Sequence, residues 1–284
     1  MSNPPQTISK RKVRRAFDRA ADSYDDAALL QKEVCSRLLE RLDYIRLTPR
    51  MILDAGVGTG EAVAPLMKRY KKSRLIVLDL SEQMLARALA HGGLLRRPEP
   101  VCADIEQLPF RDNSFDLVYS NLTLQWCNDL PMTLQGLLRV LKPGGLLMFT
   151  TFGPDTLKEL RACWRQLDDA VHVNQFTDMH DVGDGLLLAG FADPVMEAET
   201  ITVQYRTIDE LMADLRAIGA NATAQGGRPG LTTPSMLASL RQAYEAYRVD
   251  ELLPASYEVV YGHAWKPAAS QPEKHELRVN ITEL

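Results

Sequence analysis

The sequence predicts an α/β fold in which helices cover both faces of a mainly parallel sheet. Between residues 49 and 152, short apolar runs of strand length alternate with helical segments through short connections, a pattern typical of strand–helix–strand units. These runs end in polar residues, and parallel sheets bind their ligands at the carboxyl ends of the strands. The two observations together predict a binding site along that edge of the sheet.

The composition is ordinary for a globular protein. The chain has 284 residues, of which 45% are hydrophobic and 25% are charged, so it can bury a large core. No apolar stretch approaches the roughly 18 residues that span a bilayer, and the N-terminus lacks the apolar core of a secretory signal. Four widely spaced cysteines indicate neither a metal site nor a disulfide framework. We therefore expect a cytoplasmic protein without a metal, and the net charge of −4 argues against general nucleic-acid binding.

The N-terminal part is expected to be helical. Residues 1–8 are expected to form a disordered tail, and residues 9–48 to form two amphipathic helices. Apolar residues recur at intervals of three and four from Val13 to Tyr24 in the first helix and from Leu29 to Leu42 in the second. We expect this helical layer to pack beside or over the strand-end site.

Six cations lie close together in the first of these helices, on a chain that is acidic elsewhere. They are Lys10, Arg11, Lys12, Arg14, Arg15 and Arg19. Two interpretations stay open, because such a run forms either a solvated helix face or a docking surface for an acidic partner. Asp18 and Asp22 argue against a mitochondrial presequence, since such segments are poor in acidic residues.

The remaining pattern predicts seven strands. Five are expected at residues 51–55, 74–78, 101–103, 115–119 and 146–152, the last after a turn at 142–145. Helices are expected at residues 61–70 and after Ser81, which is a good helix N-cap. Residues 153–266 are expected to add strands at 194–205 and 257–265 and helices at 157–167, 176–190, 208–218 and 237–247. Residues 224–233 are expected to form a loop, and residues 267–284 a polar tail.

The turn after the first strand has glycines at three alternate positions, Gly56, Gly58 and Gly60. Alternate glycines allow a tight strand-to-helix turn and let a ligand approach the backbone. A dinucleotide fingerprint needs its third glycine at the position that Glu61 occupies, and Asp54 inside the turn would repel a phosphate. The spacing therefore favours a cofactor without a pyrophosphate, with a plain strand-to-helix turn as the alternative.

Two further aspartates end the next two strands. Asp79 follows Asp54 by 25 residues, and Asp104 follows Asp79 by the same interval. Asp79 stands where a carboxylate accepts hydrogen bonds from both hydroxyls of a ribose, although an aspartate there can also cap the following helix. Asp104 could accept a hydrogen bond from an adenine amino group while Ile105 packs against the ring.

Several motifs together resemble those of class I S-adenosylmethionine-dependent methyltransferases. They lie at residues 53–60, 78–81, 103–105, 108–110, 115–121 and 141–145. The resemblance implies a Rossmann-like, mainly parallel seven-stranded sheet with helices on both faces and an inserted helical lid. It also implies S-adenosylmethionine as the cofactor, with Asp54 orienting its amino group. The implied cofactor-binding residues are Tyr24, Asp54, Ala55, Gly56, Gly58, Gly60, Asp79, Leu80, Met84, Asp104, Ile105 and Asn121. Val57 departs from the motif, where many relatives have cysteine, but the residue there contributes mainly its backbone.

Flanking segments are similar to the malonyl-[acyl-carrier protein] O-methyltransferases of biotin synthesis. These segments are residues 17–25, 122–126, 151–157, 176–181, 217–220 and 257–262. The resemblance implies methyl transfer to the free carboxylate of malonyl-[acyl-carrier protein] or malonyl-CoA, with the six N-terminal cations as the hypothesis for carrier-protein docking. Two alternatives remain. One is a protein arginine hydroxylase like the respiratory complex I assembly factors, which share some of these segments, and the other is a methyltransferase of another small carboxylic acid.

The expected chemistry needs no general base, because a malonyl carboxylate is already ionised at neutral pH. We expect Tyr24 to close over the cofactor and Asn121, Gln125 and Trp126 to line the pocket, with a structural role as the alternative for Trp126. Arg161 and Arg216 are the candidates for gripping the substrate carboxylate, since arginine binds carboxylates well. The sequence thus predicts a site whose main task is alignment.

Overall fold

The computed structural model describes residues 8–93, 96–220 and 233–268. Most of the expected tail at 267–284 and most of the expected loop at 224–233 lie outside the described residues, as do residues 1–7. Ile8, expected to end the disordered tail, is buried, and its backbone N–H donates to the side chain of Asn128 at 2.5 Å. Within the described residues, no helix is both long enough and apolar enough to cross a membrane.

A single seven-stranded sheet forms the centre of the molecule, with the strand order β3-β2-β1-β4-β5-β7-β6. The strands are β1 (Met51–Ala55), β2 (Arg74–Asp79), β3 (Glu99–Cys102), β4 (Phe115–Ser120), β5 (Leu141–Phe152), β6 (Ala192–Tyr205) and β7 (Leu253–Trp265). The first five strands are parallel, and β7 runs antiparallel to both of its neighbours. The predicted seven-stranded, mainly parallel sheet is confirmed.

Ten helices accompany the sheet in the described part of the chain. They are α1 (Lys10–Ala20), α2 (Tyr24–Ala27), α3 (Leu29–Arg41), α4 (Val63–Arg69), α5 (Glu82–Leu89), α6 (Leu130–Val140), α7 (Lys158–Arg165), α8 (Met179–Ala189), α9 (Ile208–Ala217) and α10 (Pro234–Tyr244). Helix α6 was not predicted from the sequence, although Asp129 caps it and Leu134, Leu137 and Val140 form its buried stripe. Several predicted boundaries differ from the observed ones by a few residues.

The predicted turn at residues 142–145 is a bulge within β5. Leu141 pairs with Phe115, whereas Leu146 pairs with Leu117, so the residues between them have no partner in β4. Gly144 within the bulge has a φ of 75°, which a glycine adopts without strain. The chain therefore keeps strand character on both sides of the irregularity.

The sheet is apolar on both faces. Leu53, Ile76 and Val118 belong to the buried cluster on one face, and Ile52 and Val77 belong to the cluster on the other. Successive side chains of a strand point to opposite faces, so a sheet buried on both sides needs apolar residues at nearly every position. The continuous apolar runs that predicted the strands therefore have a direct structural cause.

The N-terminal helices lie over the carboxyl ends of β1 and β2. α1 packs on α5, with Phe17 edge-on to Trp126 at a centroid distance of 5.3 Å. Ala20 and Ala21 form a small buried cluster with Met84 of α5. This layer covers the edge of the sheet at which the site lies.

Candidate functional site

The glycine turn after β1 is held tightly against the end of β2. The backbone N–H groups of Gly56 and Val57 both donate to the carbonyl oxygen of Leu78, at 2.7 and 3.0 Å. A Cβ atom at Gly56 would lie 2.1 Å from the side chain of Thr123, whereas a Cβ atom at Gly58 would meet nothing within 4 Å. Gly56 thus allows close packing, and Gly58 leaves open space in front of the turn.

Asp79 at the end of β2 faces the same turn. One of its carboxylate oxygens accepts from the N–H of Gly58 at 2.9 Å, and the other accepts from the N–H of Ser81 at 2.8 Å. The cap of α5 is the hydroxyl of Ser81, which accepts from the N–H of Met84. Burial raises the pKa of Asp79 to about 6, although these backbone donors oppose the effect. Because Ser81 caps α5, the side chain of Asp79 does not have to serve as the helix cap. Its carboxylate remains a hydrogen-bond acceptor at the end of β2.

Asp54 is almost completely buried beneath the turn. Its side chain is 2% exposed, and the oxygen Oδ2 has no hydrogen-bond partner among the described residues. Burial, together with the nearby charge of Asp79, raises the pKa of Asp54 to about 8. A buried acid with an unpaired oxygen fits a ligand that brings a cationic amino group, because the pair satisfies both charge and hydrogen bonding.

A cavity lies between the glycine turn and the N-terminal helices. This strand-end cavity is lined by Tyr24, Asp25, Ala28, Gln31, Lys32, Cys35, Asp54, Gly56, Val57, Gly58, Thr59, Glu61, Ala62, Tyr119, Asn121 and Leu122. Five residues proposed from the sequence as cofactor contacts are among them, namely Tyr24, Asp54, Gly56, Gly58 and Asn121. Tyr24 is half-buried, and burial raises the pKa of its hydroxyl, so the side chain is neutral.

The other proposed cofactor contacts surround this cavity without lining it. Ala55 is buried at the end of β1, and Gly60 packs against Ala88 of α5. Leu80 packs against the cluster of Val13 and Ala16 on the inner face of α1. The direct contact of these residues with a cofactor stays a prediction.

Asp104 forms an ion pair with Lys10 of the N-terminal helix α1. Its Oδ1 accepts from Nζ of Lys10 at 3.0 Å, and Lys10 also forms an ion pair with Glu106. Ile105 is buried beside it. Lys10 is therefore half-buried and paired with acidic residues after β3. In the sequence it is grouped with the other cations of α1, most of which are exposed.

Residues 8–28, here called the N-terminal strap, are fastened to the loops after three strands. Asp25 accepts from the hydroxyl of Thr59 after β1, and Asp18 accepts from the hydroxyl of Ser81 after β2, both at 2.6 Å. The ion pair of Lys10 with Asp104 provides the third contact, after β3. The strap thus closes one side of the strand-end cavity.

A second cavity adjoins the first and is largely apolar. This apolar cavity is lined by Gln31, Gln125, Trp126, Phe152, Thr156, Leu157, Leu160, His172, Val173, Asn174, Phe176, Leu215, Ile218, Ala220 and Tyr257. Gln125 and Trp126 lie here as predicted pocket residues, whereas Asn121 lines only the strand-end cavity. Trp126 also packs on Phe17, so it both lines a pocket and holds α1. Among the described residues, Gln31 is the one that lines both the strand-end cavity and the apolar cavity.

The two arginines proposed to grip a carboxylate do not line the apolar cavity. The guanidinium of Arg161 donates to the carbonyl oxygens of Pro154 and Thr156, at 2.6 and 2.8 Å. Arg216 is exposed on α9, whereas its neighbours Leu215 and Ile218 line the cavity. The carboxylate clamp stays a prediction, and the present contacts of Arg161 hold the loop after β5.

The acidic groups at the strand ends and the apolar cavity beside them suit two different reactants. Carboxylates at successive strand ends can hold an amino group, a ribose and an adenine, and the open space at Gly58 admits the ligand close to the backbone. The adjoining apolar cavity can exclude water from a second reactant. These features fit S-adenosylmethionine, since Asp54 supplies the unpaired buried oxygen that its amino group needs.

Comparison with known proteins identifies the family of the chain. Residues 53–149 match the methyltransferase domain family. A solved structure with a similar fold is the phosphoethanolamine N-methyltransferase 2 of Haemonchus contortus in complex with S-adenosyl-L-methionine. The two structures superpose with a TM-score of 0.57 and 21% sequence identity, and the match covers 93% of this chain and 61% of that one. The fold and the site therefore define a class I S-adenosylmethionine-dependent methyltransferase. The malonyl-[acyl-carrier protein] O-methyltransferase of Methylovorus sp. (strain MP688) is 52% identical over 92% of this chain and 90% of its own, and that of Gallionella capsiferriformans (strain ES-2) is 51% identical over 92% of each. The chain belongs to the malonyl-[acyl-carrier protein] O-methyltransferase family.

Proposed function

We propose that this enzyme transfers the methyl group of S-adenosylmethionine to the free carboxylate of malonyl-[acyl-carrier protein], giving the methyl ester thioester for biotin synthesis. The observation that carries the proposal is the apolar cavity, which adjoins the strand-end cavity at Gln31. A malonyl thioester presents a small carboxylate on a short acyl chain, and a largely apolar cavity can exclude water from the reacting groups. The names of the relatives support this substrate and give no support to arginine hydroxylation.

The cofactor supplies an electrophilic methyl group when it is bound, so the residues of this chain mainly bind and align. Asp54 would pair with its amino group, Asp79 would accept from the ribose hydroxyls, and Asp104 would accept from the adenine amino group. The malonyl carboxylate is ionised at neutral pH, so no side chain has to remove a proton. Holding the two reactants in line and away from water removes a barrier of about 7–11 kcal/mol in favourable cases.

The proposed reaction can be tested directly with methyl-labelled S-adenosylmethionine. We expect label in malonyl-[acyl-carrier protein] and none in acetyl-[acyl-carrier protein], because only the malonyl group has a free carboxylate. Mass spectrometry of the thioester gives the site of methylation. Transfer to a free small acid but not to a malonyl thioester would support the alternative substrate and contradict the proposal.

We also propose that the outer face of α1 docks the acyl carrier protein. Arg11, Lys12, Arg15 and Arg19 are exposed, while Val13 and Ala16 are buried on the opposite face. Lys10 belongs to the strand-end site, and Arg14 pairs with Glu82 of α5 at 3.1 Å, so neither is part of the proposed surface. An acidic carrier protein bound there would lie directly above the closed edge of the active site.

Reversing two charges of this surface should selectively weaken the binding of the carrier-protein substrate. For the double variant Arg11→Glu with Arg15→Glu, we expect KM for malonyl-[acyl-carrier protein] to rise about tenfold or more, because rim charges steer association. KM for malonyl-CoA should change by less than about twofold, since it has the same pantetheine arm but no carrier protein to contact this surface. Steady-state kinetics at low and high salt gives both values.

The matched control is the double variant Lys71→Glu with Lys72→Glu, which makes the same charge change at two exposed residues after α4. It should leave both KM values unchanged. Equal losses for the carrier-protein substrate and malonyl-CoA in the α1 variant would exclude docking as the function of this surface.

Three further expectations are kept as part of this proposal. The protein acts in the cytoplasm, in agreement with its dispersed cysteines. The segment at 153–266 contributes the lid over the substrate. The hypothesis that Arg161 or Arg216 grips the substrate carboxylate is the alternative to binding by a neutral donor, and unchanged KM values for the malonyl substrate in both Arg161→Ala and Arg216→Ala would exclude this clamp.

A further inference from the structure

We propose that Gln31 binds the reacting carboxylate, with its side-chain amide donating a hydrogen bond to the malonyl oxygen that does not attack. This inference rests on the proposed function, because it names the residue that meets the substrate at the same site. Gln31 belongs to no sequence motif and was not among the predicted site residues. Only the packing of distant segments reveals its position.

The location of Gln31 is the first argument. It lies in the first turn of α3 and lines both the strand-end cavity and the apolar cavity. Methyl transfer joins one reactant from each cavity, so the reacting atoms must meet where the two cavities adjoin. Gln31 is therefore beside the reaction, whereas Gln125 and Trp126 line the apolar cavity but not the strand-end cavity.

The second argument is that Gln31 has an unused polar atom. Its Oε1 is buried and has no hydrogen-bond partner in the described part of the chain. A buried amide position without a partner costs free energy, and a carboxylate supplies that partner once the amide has rotated to place its N–H there. The amide group has both a donor and an acceptor end, and rotation about its last bond exchanges them. It can thus present its N–H to a carboxylate in the complex.

The third argument is that the backbone of Gln31 is fixed. Asn121, at the end of β4, donates from Nδ2 to the carbonyl oxygen of Gln31 at 3.3 Å. The other end of the Asn121 amide accepts from the hydroxyl of Thr150 in β5 at 2.8 Å. The neighbouring residue Lys32 donates to the carbonyl oxygen of Asp25 in the strap at 2.7 Å. Gln31 is therefore positioned by the sheet on one side and by the strap on the other.

A neutral donor suits the chemistry better than a cation at this point. A lone pair of the carboxylate oxygen forms the new bond to the methyl carbon, the bond from that carbon to sulfur breaks, and its electron pair goes to sulfur. No proton moves. A guanidinium would hold the carboxylate charge strongly, whereas an amide aligns the group with a weaker hydrogen bond and leaves the attacking oxygen nucleophilic. Two guanidinium nitrogens of Arg161 donate to main-chain carbonyls instead, and its Nε is buried without a partner in the described part of the chain.

The test compares malonyl and acetyl thioesters on a Gln31→Leu variant, which keeps the approximate size of the side chain but removes the amide. For methyl transfer to malonyl-CoA we expect kcat/KM to fall about 30- to 100-fold, as for loss of a hydrogen bond to a charged group. Binding is measured separately by calorimetry on protein saturated with S-adenosylhomocysteine. Wild type should bind malonyl-CoA more tightly than acetyl-CoA, and Gln31→Leu should lose most of that preference.

Two further variants make the result specific. Gln242→Leu makes the same exchange at an exposed position of α10 and should leave both measurements unchanged. Gln31→Glu adds a negative charge beside the carboxylate. It should weaken the binding of malonyl-CoA further and leave the binding of acetyl-CoA unchanged, because like charges repel. Affinity for S-adenosylmethionine should stay within about threefold of wild type in every folded variant.

Two results would overturn the inference. The first is malonyl transfer by Gln31→Leu within about threefold of wild type, and the second is an equal loss of affinity for malonyl-CoA and acetyl-CoA. If Gln31→Leu fails to fold, as judged by circular dichroism, Gln31→Met replaces it with the same expected outcome. Failure of the wild-type enzyme to methylate any malonyl thioester would instead reject the proposed function, so the two failures are distinguishable.

Discussion

Replacing Gly58 with asparagine is expected to weaken S-adenosylmethionine binding by about 100-fold or more while the protein still folds. Gly58 has a φ of 54°, and a Cβ atom there would meet nothing within 4 Å. Asparagine tolerates this left-handed conformation better than most residues, so the backbone strain is small. Its side chain would fill the open space that the ligand needs. Calorimetric titration gives the affinity, and a thermal melt reports the fold.

Gly144→Asn provides the matched control for this experiment. Gly144 has a φ of 75° and is exposed in the bulge of β5, and a Cβ atom there would also meet nothing within 4 Å. The two variants therefore carry a similar conformational cost, but only one of them projects into the strand-end cavity. Near-equal cofactor affinity in Gly58→Asn and Gly144→Asn would show that the turn does not contact the cofactor.

The substitution Asp54→Asn is expected to stabilise the ligand-free protein at alkaline pH and to weaken the binding of the cofactor. Burial raises the pKa of Asp54 to about 8, well above the value of about 3.9 for a free aspartate. The stability that the neutral acid gives is complete below about pH 3.9 and is lost as the pH rises through about 8. Asparagine carries no charge and avoids this loss.

The size of the Asp54→Asn effect should therefore depend on pH. We expect the Tm of the ligand-free variant to exceed that of wild type by several degrees at about pH 8.5, with a smaller difference at about pH 5.5. Affinity for S-adenosylmethionine should fall about 10- to 100-fold, because the variant lacks the charge that pairs with the amino group. Thermal melts at both pH values, with and without cofactor, measure both effects.

Two outcomes would contradict this account of Asp54. A ligand-free Asp54→Asn protein that is less stable than wild type at alkaline pH would mean that the carboxylate is already stabilised in the folded state. Cofactor affinity equal to that of wild type would remove Asp54 from the amino-group site.

The fold and the family could be predicted from the sequence because local patterns determine them. The apolar runs of β1, β2 and β4 reflect burial on both faces of the sheet, and the glycine turn follows directly from its spacing. Helix α6 was not predicted although Asp129 and Pro131 mark its start, because its apolar stripe continues without a break into β5. The bulge in β5 looked like a turn because glycine and proline occur in both.

The contacts within the site could not be predicted to the same extent. Lys10 appeared to be a surface cation, but the path of α1 brings it to Asp104, which lies 94 residues away in the chain. Arg161 donates to main-chain carbonyls, which no pattern of side chains indicates. Gln31 gains its position from the meeting of two cavities whose walls come from many segments. Long-range packing thus decides which polar residues reach the site.

Helix α1 has two faces, and their combination affects the order of events in turnover. Its inner side rests on the strand ends through Leu80 and through the ion pair of Lys10 with Asp104, the predicted acceptor of the adenine amino group. Its outer side is the proposed docking surface. A carrier protein seated there would add contacts to a helix that packs on the strand ends, so we expect the cofactor to bind before the loaded carrier.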